Sequence, residues 1–164
     1  MMDIRKLGAK AGALLKERGE TIAVAESSAG GLISASLLSV PGASAYFLGG
    51  GVVYTAAARQ ALVGISQHEM DERGLHGAME PYAVLLAERL KACHGAVWGL
   101  AETGASGPLG NRYGDPAGHT ALAISGPYSG TRIFQTGSGD RVANMWAFAV
   151  AAFSLLAEAL ESSE

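Results

Sequence analysis

The sequence predicts an α/β fold, a three-layer α/β/α sandwich around a mixed, mainly parallel sheet of about five strands. Three observations carry that prediction. Short runs rich in Val, Ile and Ala alternate with longer stretches whose apolar residues recur at helical spacing. Two late runs are joined by a glycine-bounded turn that reads as a hairpin. The 23 glycines, about twice an average share, gather where turns and close backbone approaches fall.

The elements follow in order. Ile4, Leu7, Ala11, Leu14 and Leu15 recur at helical spacing between charged residues, and Gly19 stops that first helix. Thr21–Ala25 is a short apolar run suited to a central strand buried on both faces. Ala29–Leu38 returns to helical spacing and Pro41-Gly42 ends it. Phe47–Thr55 is the second strand, with Gly49, Gly50 and Gly51 near its start. A short helix over Ala57–Val63 is capped by Gly64, and Ser66–Arg73 forms another, with Ser66 as N-cap and Glu69 three residues on. Pro81 suits the first turn of a long helix that runs to His94. Ala96–Ala101 is a third buried strand and enters a loop rich in turn residues, Gly104–Gly118. His119–Ile124 and Thr131–Thr136 make the hairpin, and a final alanine-rich helix runs from Asp140 to about Glu161.

Composition bounds the function. A chain of 164 residues fits a single domain, 1–164, large enough to form a core without a disulfide or metal staple. Its 12 basic and 15 acidic residues leave a net charge of −3, and no Lys/Arg run offers a nucleic-acid footprint. A compact anionic ligand needs only one or two basic groups, so phosphate binding stays open. Cys93, the only cysteine, excludes an internal disulfide and reads as a small buried thiol in its helix. His68, His76, His94 and His119 have no partners at metal-ligand spacing and read as surface or core histidines. Met1–Lys10 lacks the apolar core of a secretory signal, and no apolar run reaches about 18 residues unbroken. A cytoplasmic location without membrane contact is expected.

Ligands of open α/β sheets bind beyond the carboxyl ends of strands, and three segments present such ends. In Glu26-Ser27-Ser28-Ala29-Gly30-Gly31 a strand meets serines and paired glycines at a helix start. That turn suits an anion or an oxyanion, or a serine nucleophile. It equally suits an N-cap with glycines for tight packing. Gly49–Thr55 ends in Tyr54 and Thr55, which are either ligand donors or a bulge followed by a buried tyrosine. Glu102-Thr103-Gly104-Ala105-Ser106-Gly107-Pro108 repeats the pattern of an apolar strand followed by an acid, hydroxyls and glycines. It reads as an active-site loop or an ordinary turn.

Taken together, these segments resemble the CinA C-terminal domain family, that of the competence/damage-inducible CinA proteins, whose free-standing members are PncC-type nicotinamide mononucleotide amidohydrolases. The family's A-E-S-C-T-G-G stands here as Ala25–Gly31, and its P-G-S-S-x-x-F-x-x-G as Pro41–Phe47 with Gly50 following. Its Y-S-N-x-x-K-x-x-L-L-G-V aligns with Tyr54–Ile65, its T-G-x-A-G-P with Thr103–Pro108, its P-V-G with Pro116-Ala117-Gly118, and its G-D-R with Gly139-Asp140-Arg141.

The resemblance implies a three-layer α/β/α domain that hydrolyses a carboxamide, nicotinamide mononucleotide plus water giving nicotinate mononucleotide plus ammonia. It implies catalytic roles for Ser27, Tyr54, Thr103 and position 59. Substrate contacts are implied for Glu26, Ser28, Gly30, Gly31, Ser44, Gly50, Thr55, Gly104, Ser106, Gly107 and Arg141. The implied partner is a small nucleotide substrate, with no cofactor, metal, nucleic acid or membrane, and the expected assembly is a homo-oligomer. Several positions depart from the family's pattern. The lysine that would activate Ser27 is Arg59, and arginine is a poor proton acceptor. Ser28 and Ala29 replace Cys and Thr, Ala56 replaces Asn, and Met145 stands where an arginine is common. These departures favour altered catalysis, or a pocket kept for binding alone.

Overall fold

The computed structural model of the chain describes residues 3–163. The expected domain, 1–164, runs past these bounds at residues 1, 2 and 164, which lie outside the described residues. Along the chain come α1 (Ile4–Arg18), β1 (Ile22–Glu26), α2 (Leu32–Leu38), a 3-10 turn (Ala43–Ala45), β2 (Phe47–Val52), α3 (Ala56–Val63) and α4 (Gln67–Glu72). Then follow α5 (Glu80–His94), β3 (Trp98–Ala105), β4 (His119–Ser125), β5 (Gly130–Gln135) and α6 (Arg141–Ser162).

The helix ends follow local chemistry. Asp3 accepts the Arg5 amide at the start of α1, and Gly19 closes it in the left-handed conformation at φ 64°. Ser66 accepts the Glu69 amide at 3.0 Å, the N-cap that its spacing predicts.

The sheet order is β2-β1-β3-β4-β5. β1 pairs in parallel with β2 and β3, while β4 pairs antiparallel with both β3 and β5. The sheet is therefore mixed, and β4 alone runs against the other strands. β3 extends to Ala105, beyond the predicted Ala96–Ala101. Glu102-Thr103-Gly104 therefore lies within the ladder, paired with Leu122, Ala121 and Thr120, and is not a loop. A buried carboxylate in a strand interior is unfavourable unless hydrogen-bonded, which is why this stretch reads as a turn.

The two faces of the sheet are unequal. On one, Ile22, Val24, Trp98, Leu100, Leu122 and Ile124 pack with α1, α2 and α6. On the other, Ala23, Ala25, Ala101, Ala121 and Ala123 meet α5, joined by Val63, Ile65 and Met70. Alternation along each strand puts large side chains on the first face and small ones on the second, so α5 lies close to the sheet. At Gly99 the approach is so close that a Cβ would fall well inside contact distance of the Ala87 carbonyl.

α6 is long and apolar enough to cross a membrane by length and composition, yet half of that apolar window is buried within the fold. Phe148, Phe153, Leu156 and Leu160 of α6 are core residues. Cys93 departs from expectation: it is exposed, as are its neighbours Ala92 and His94. Cys93 sits on the solvent side of the last turn of α5, although His94 beside it lies against Gly49 of β2.

Candidate active site

The carboxyl ends of β1, β2 and β3 meet at one side of the sheet, and two buried carboxylates build the turn that follows β1. Glu26, 1% exposed, folds back on the helix ahead of it. Its Oε1 accepts the amides of Gly31 at 3.1 Å and Ile33 at 2.9 Å, and its Oε2 accepts that of Ser34 at 2.9 Å. The Leu32 amide donates to the Ala29 carbonyl. The first amides of α2 are thus all satisfied from within the chain. Gly30 and Gly31, at φ 66° and 99°, supply the left-handed backbone that lets the chain turn this tightly.

This corrects one sequence expectation. The amides at Gly30 and Gly31 are not free for a phosphate or an oxyanion: Gly31 donates to Glu26, and Gly30 donates to the Ser27 carbonyl. Glu26 is likewise not a ligand contact, because its carboxylate points into the helix end.

Glu102 does for the serines what Glu26 does for the helix. From β3, its Oε2 accepts the amides of Ser27 at 3.0 Å and Ala29 at 2.8 Å, and its Oε1 accepts the Thr120 hydroxyl at 2.8 Å. Burial pushes its carboxyl up to about 7, against the pull of those donors and with a further push from Glu26. In the unfolded chain the group titrates near the ordinary glutamate value. Between that value and about 7 the folded state holds the extra proton, so stability falls as pH rises through this window. Urea titrations at pH 5 and pH 8 should show this loss, on the order of 2–3 kcal/mol, and Glu102→Gln should abolish it. An unchanged pH profile in Glu102→Gln would show that another group is responsible.

Ser27, half-buried, opens into a cavity of about 390 Å³ that it shares with Tyr54, Thr55, Arg59, Thr103, Gly104, Tyr82, Ala78, Asn111, Arg112 and Tyr113. A smaller cavity of about 210 Å³ lies beside it, lined by Ser28, Ser106, Gly107 and Arg141, and the two share Tyr54, Gly104 and Asn111. The structure therefore gathers most of the expected site residues around two adjoining hollows. Two lie elsewhere. Ser44 is exposed in the 3-10 turn that leads into β2, at the opposite end of the sheet from Ser27. Gly50 sits mid-strand opposite Val24, where a Cβ would collide with the Val24 carbonyl; it serves packing.

Around the cavities, several polar groups are held by definite partners. Thr55 caps α3, accepting the Ala58 amide at 3.1 Å. The exposed Tyr54 hydroxyl accepts from Arg141 Nη2 at 3.0 Å, and Arg141 Nη1 donates to the Gly107 carbonyl at 2.6 Å. Asn144 of α6 donates to the Ser106 and Ser138 carbonyls, tying the loop after β3 to α6. Arg59 donates through Nε to the Ile65 carbonyl at 3.1 Å and through Nη2 to Gln67 Oε1 at 2.7 Å. It also reaches the Tyr82 hydroxyl, drawing down a phenol that burial raises. Among the described residues no side chain hydrogen-bonds to Ser27 Oγ.

Sequence reasoning missed Ala78. It is the one described non-glycine residue with positive φ, at 62°, a conformation that costs alanine about 1–2 kcal/mol. Its amide donates to Thr103 Oγ1 at 3.1 Å, and its carbonyl accepts from His119 Nε2 at 2.9 Å. Because the Thr103 oxygen is engaged as acceptor from that side, its own proton is free to turn toward the cavity. Asn111 fixes the rim: its Oδ1 accepts the amides of Tyr113 and Asp115. Tyr113 stacks on His76 with ring centroids 4.3 Å apart. None of these contacts has a periodic signal; only the Asn-Arg-Tyr-Gly composition marks 111–114 as a turn.

The fold and these hollows define a class: a mixed α/β domain with two adjoining hollows at its strand ends. The chain belongs to the CinA C-terminal domain family, whose sequence profile matches residues 4–160. A CinA-like protein of Prochlorococcus marinus (strain MIT 9313) is 42% identical over 116 residues, 70% of this chain and 26% of that protein. One from Synechococcus sp. (strain CC9902) is 43% identical over 114 residues, 69% of this chain and 26% of the relative. The chain thus spans about a quarter of the length of these curated relatives. In the same fold are the competence/damage inducible protein CihA from Agrobacterium tumefaciens and a competence-damaged protein (CinA) superfamily protein from Klebsiella pneumoniae 700603. The first has TM-score 0.86 and 26% identity, covering 98% of this chain and 97% of that one. The second has TM-score 0.88 and 23% identity, covering 98% and 99%.

Proposed function

We propose that the chain hydrolyses the carboxamide of a nicotinamide nucleotide, releasing ammonia and leaving the carboxylate, at the hollow onto which Ser27 opens. The observation that carries this reading is the convergence of Ser27, Tyr54 and Thr103 on one cavity within a family-typical frame. Its volume lies within the usual range of small-ligand pockets. Ser27 Oγ attacks the amide carbonyl or orients the water that does. The Thr103 hydroxyl, backed by Ala78, donates to the ligand, and Tyr54, bonded to Arg141 of the smaller hollow, borders both.

The test is ammonia release from nicotinamide mononucleotide by purified protein, compared with Ser27→Ala. Hydrolysis by this route predicts that Ser27→Ala loses on the order of 100-fold or more in rate. Ammonia release that is equal in both proteins, or absent from both, overturns it. One observation favours a second reading, nucleotide binding without turnover: position 59 holds an arginine anchored by neutral partners, which does not accept a proton from serine. Saturable binding with no ammonia from either protein would select that reading.

A further inference from the structure

Arg59 is a buried cation with no anion to neutralise it. It is 9% exposed, and its hydrogen-bond partners are the Ile65 carbonyl and the Gln67 side-chain carbonyl, both uncharged, with the neutral Tyr82 hydroxyl nearby. Among the described residues no carboxylate lies at ion-pair distance from it. The acid at the end of its hydrogen-bond chain is Asp71, which bonds to Gln67 Nε2 at 2.8 Å and is exposed. A buried charge in this state is costly unless something compensates it. The cavity it lines contains Arg112 and no Asp or Glu, although the whole chain carries a net charge of −3. The walls also carry the Tyr82 and Tyr113 rings, the latter held flat on His76 at an interplanar angle of 20°. These surfaces suit a planar ring.

From this arrangement we infer that the cavity selects a ligand whose planar ring bears a carboxylate, and that Arg59 is the residue that makes the choice. The inference rests on reading the cavity as the ligand site of the proposed function, and it specifies the ligand class there. A carboxylate beside Arg59 neutralises the buried guanidinium through charge-assisted hydrogen bonds with matching planar geometry. A carboxamide in the same place offers one neutral acceptor and turns an N–H toward a cation. The acid, which is the product of amide hydrolysis, therefore binds more tightly than the amide. Arg59 thus sets specificity, and sets it toward the form that leaves the reaction.

The test is calorimetric titration of the Ser27→Ala chain, in which neither ligand turns over, with nicotinate mononucleotide and with nicotinamide mononucleotide. The acid should bind about tenfold or more tightly, the difference between a charged and a neutral hydrogen-bonding partner. Arg59→Gln in that background should bring the ratio near one, and Arg59→Lys should keep part of it. Equal affinities, preference for the amide, or no binding of either ligand overturns the inference. So does a ratio that collapses in Arg112→Gln but survives in Arg59→Gln. If Arg59→Gln fails to fold, as read by circular dichroism, the affinity ratio and the Arg59→Lys variant still decide. Ammonia release is measured separately on the unmutated chain: its absence sinks hydrolysis and leaves the affinity ratio standing, whereas equal affinities sink the selectivity and leave hydrolysis standing.

Discussion

Glu26→Ala is expected to lower the stability of the fold by about 3–5 kcal/mol. The carboxylate is buried and accepts the amides of Gly31, Ile33 and Ser34. Removing it strands those donors at the end of a helix too short to stand alone, and each unsatisfied buried donor costs about 1–3 kcal/mol. Some of that cost is offset where water enters the space left behind. Urea denaturation followed by circular dichroism measures the loss. A change below about 1 kcal/mol would mean that the turn re-forms its bonds without the carboxylate. Because the same turn presents Ser27, nucleotide binding should weaken together with stability.

Gly99→Ala is expected to cost about 3 kcal/mol, at the upper end for overpacking, or roughly 6–12 °C in melting temperature for a domain of this size. The added methyl meets backbone, the Ala87 carbonyl of α5, and the Lys91 Cβ beside it. Backbone has no rotamer to change, so α5 as a whole must move off the sheet. That helix also brings Tyr82 to the cavity wall, so ligand affinity should fall in the same variant. Thermal melts with and without ligand check both effects; a wild-type melting temperature would show that α5 tolerates the displacement.

Much of the fold was legible because its signals are local. The Gly19 stop, the Ser66 N-cap and the Thr21–Ala25 run each declare themselves within a few residues, and α1, α4 and β1 lie within a residue or two of expectation. β3 reads short in the sequence because Glu102 is satisfied by amides 73 and 75 residues away. Cys93 reads as buried from its residue type, and its place on the solvent side of α5 is not something residue type announces.

The site was legible in the same partial way. Ser27 and Tyr54 stand just past strand ends, which can be read from an apolar run, whereas Thr103 lies inside β3. Ser44 also lies close to a strand in sequence, but at its amino end, and direction within the sheet is a tertiary fact. The role of Glu26 depends on two successive left-handed glycines that send the chain back over its side chain. Ala78 gave no sign at all, since nothing about an alanine announces a positive φ.

The anion that occupies the start of α2 also bears on how this protein can evolve. A turn shaped to bind a negative group already carries one, covalently attached, so a ligand has nothing to compete for there. On the proposed reading, recognition falls to side chains outside the turn, among them those at positions 59, 103 and 111–113. Scaffold and selectivity are thereby entrusted to separate sets of residues. Substitutions can drift through the second set and test new ligands while the first set keeps the serine in place.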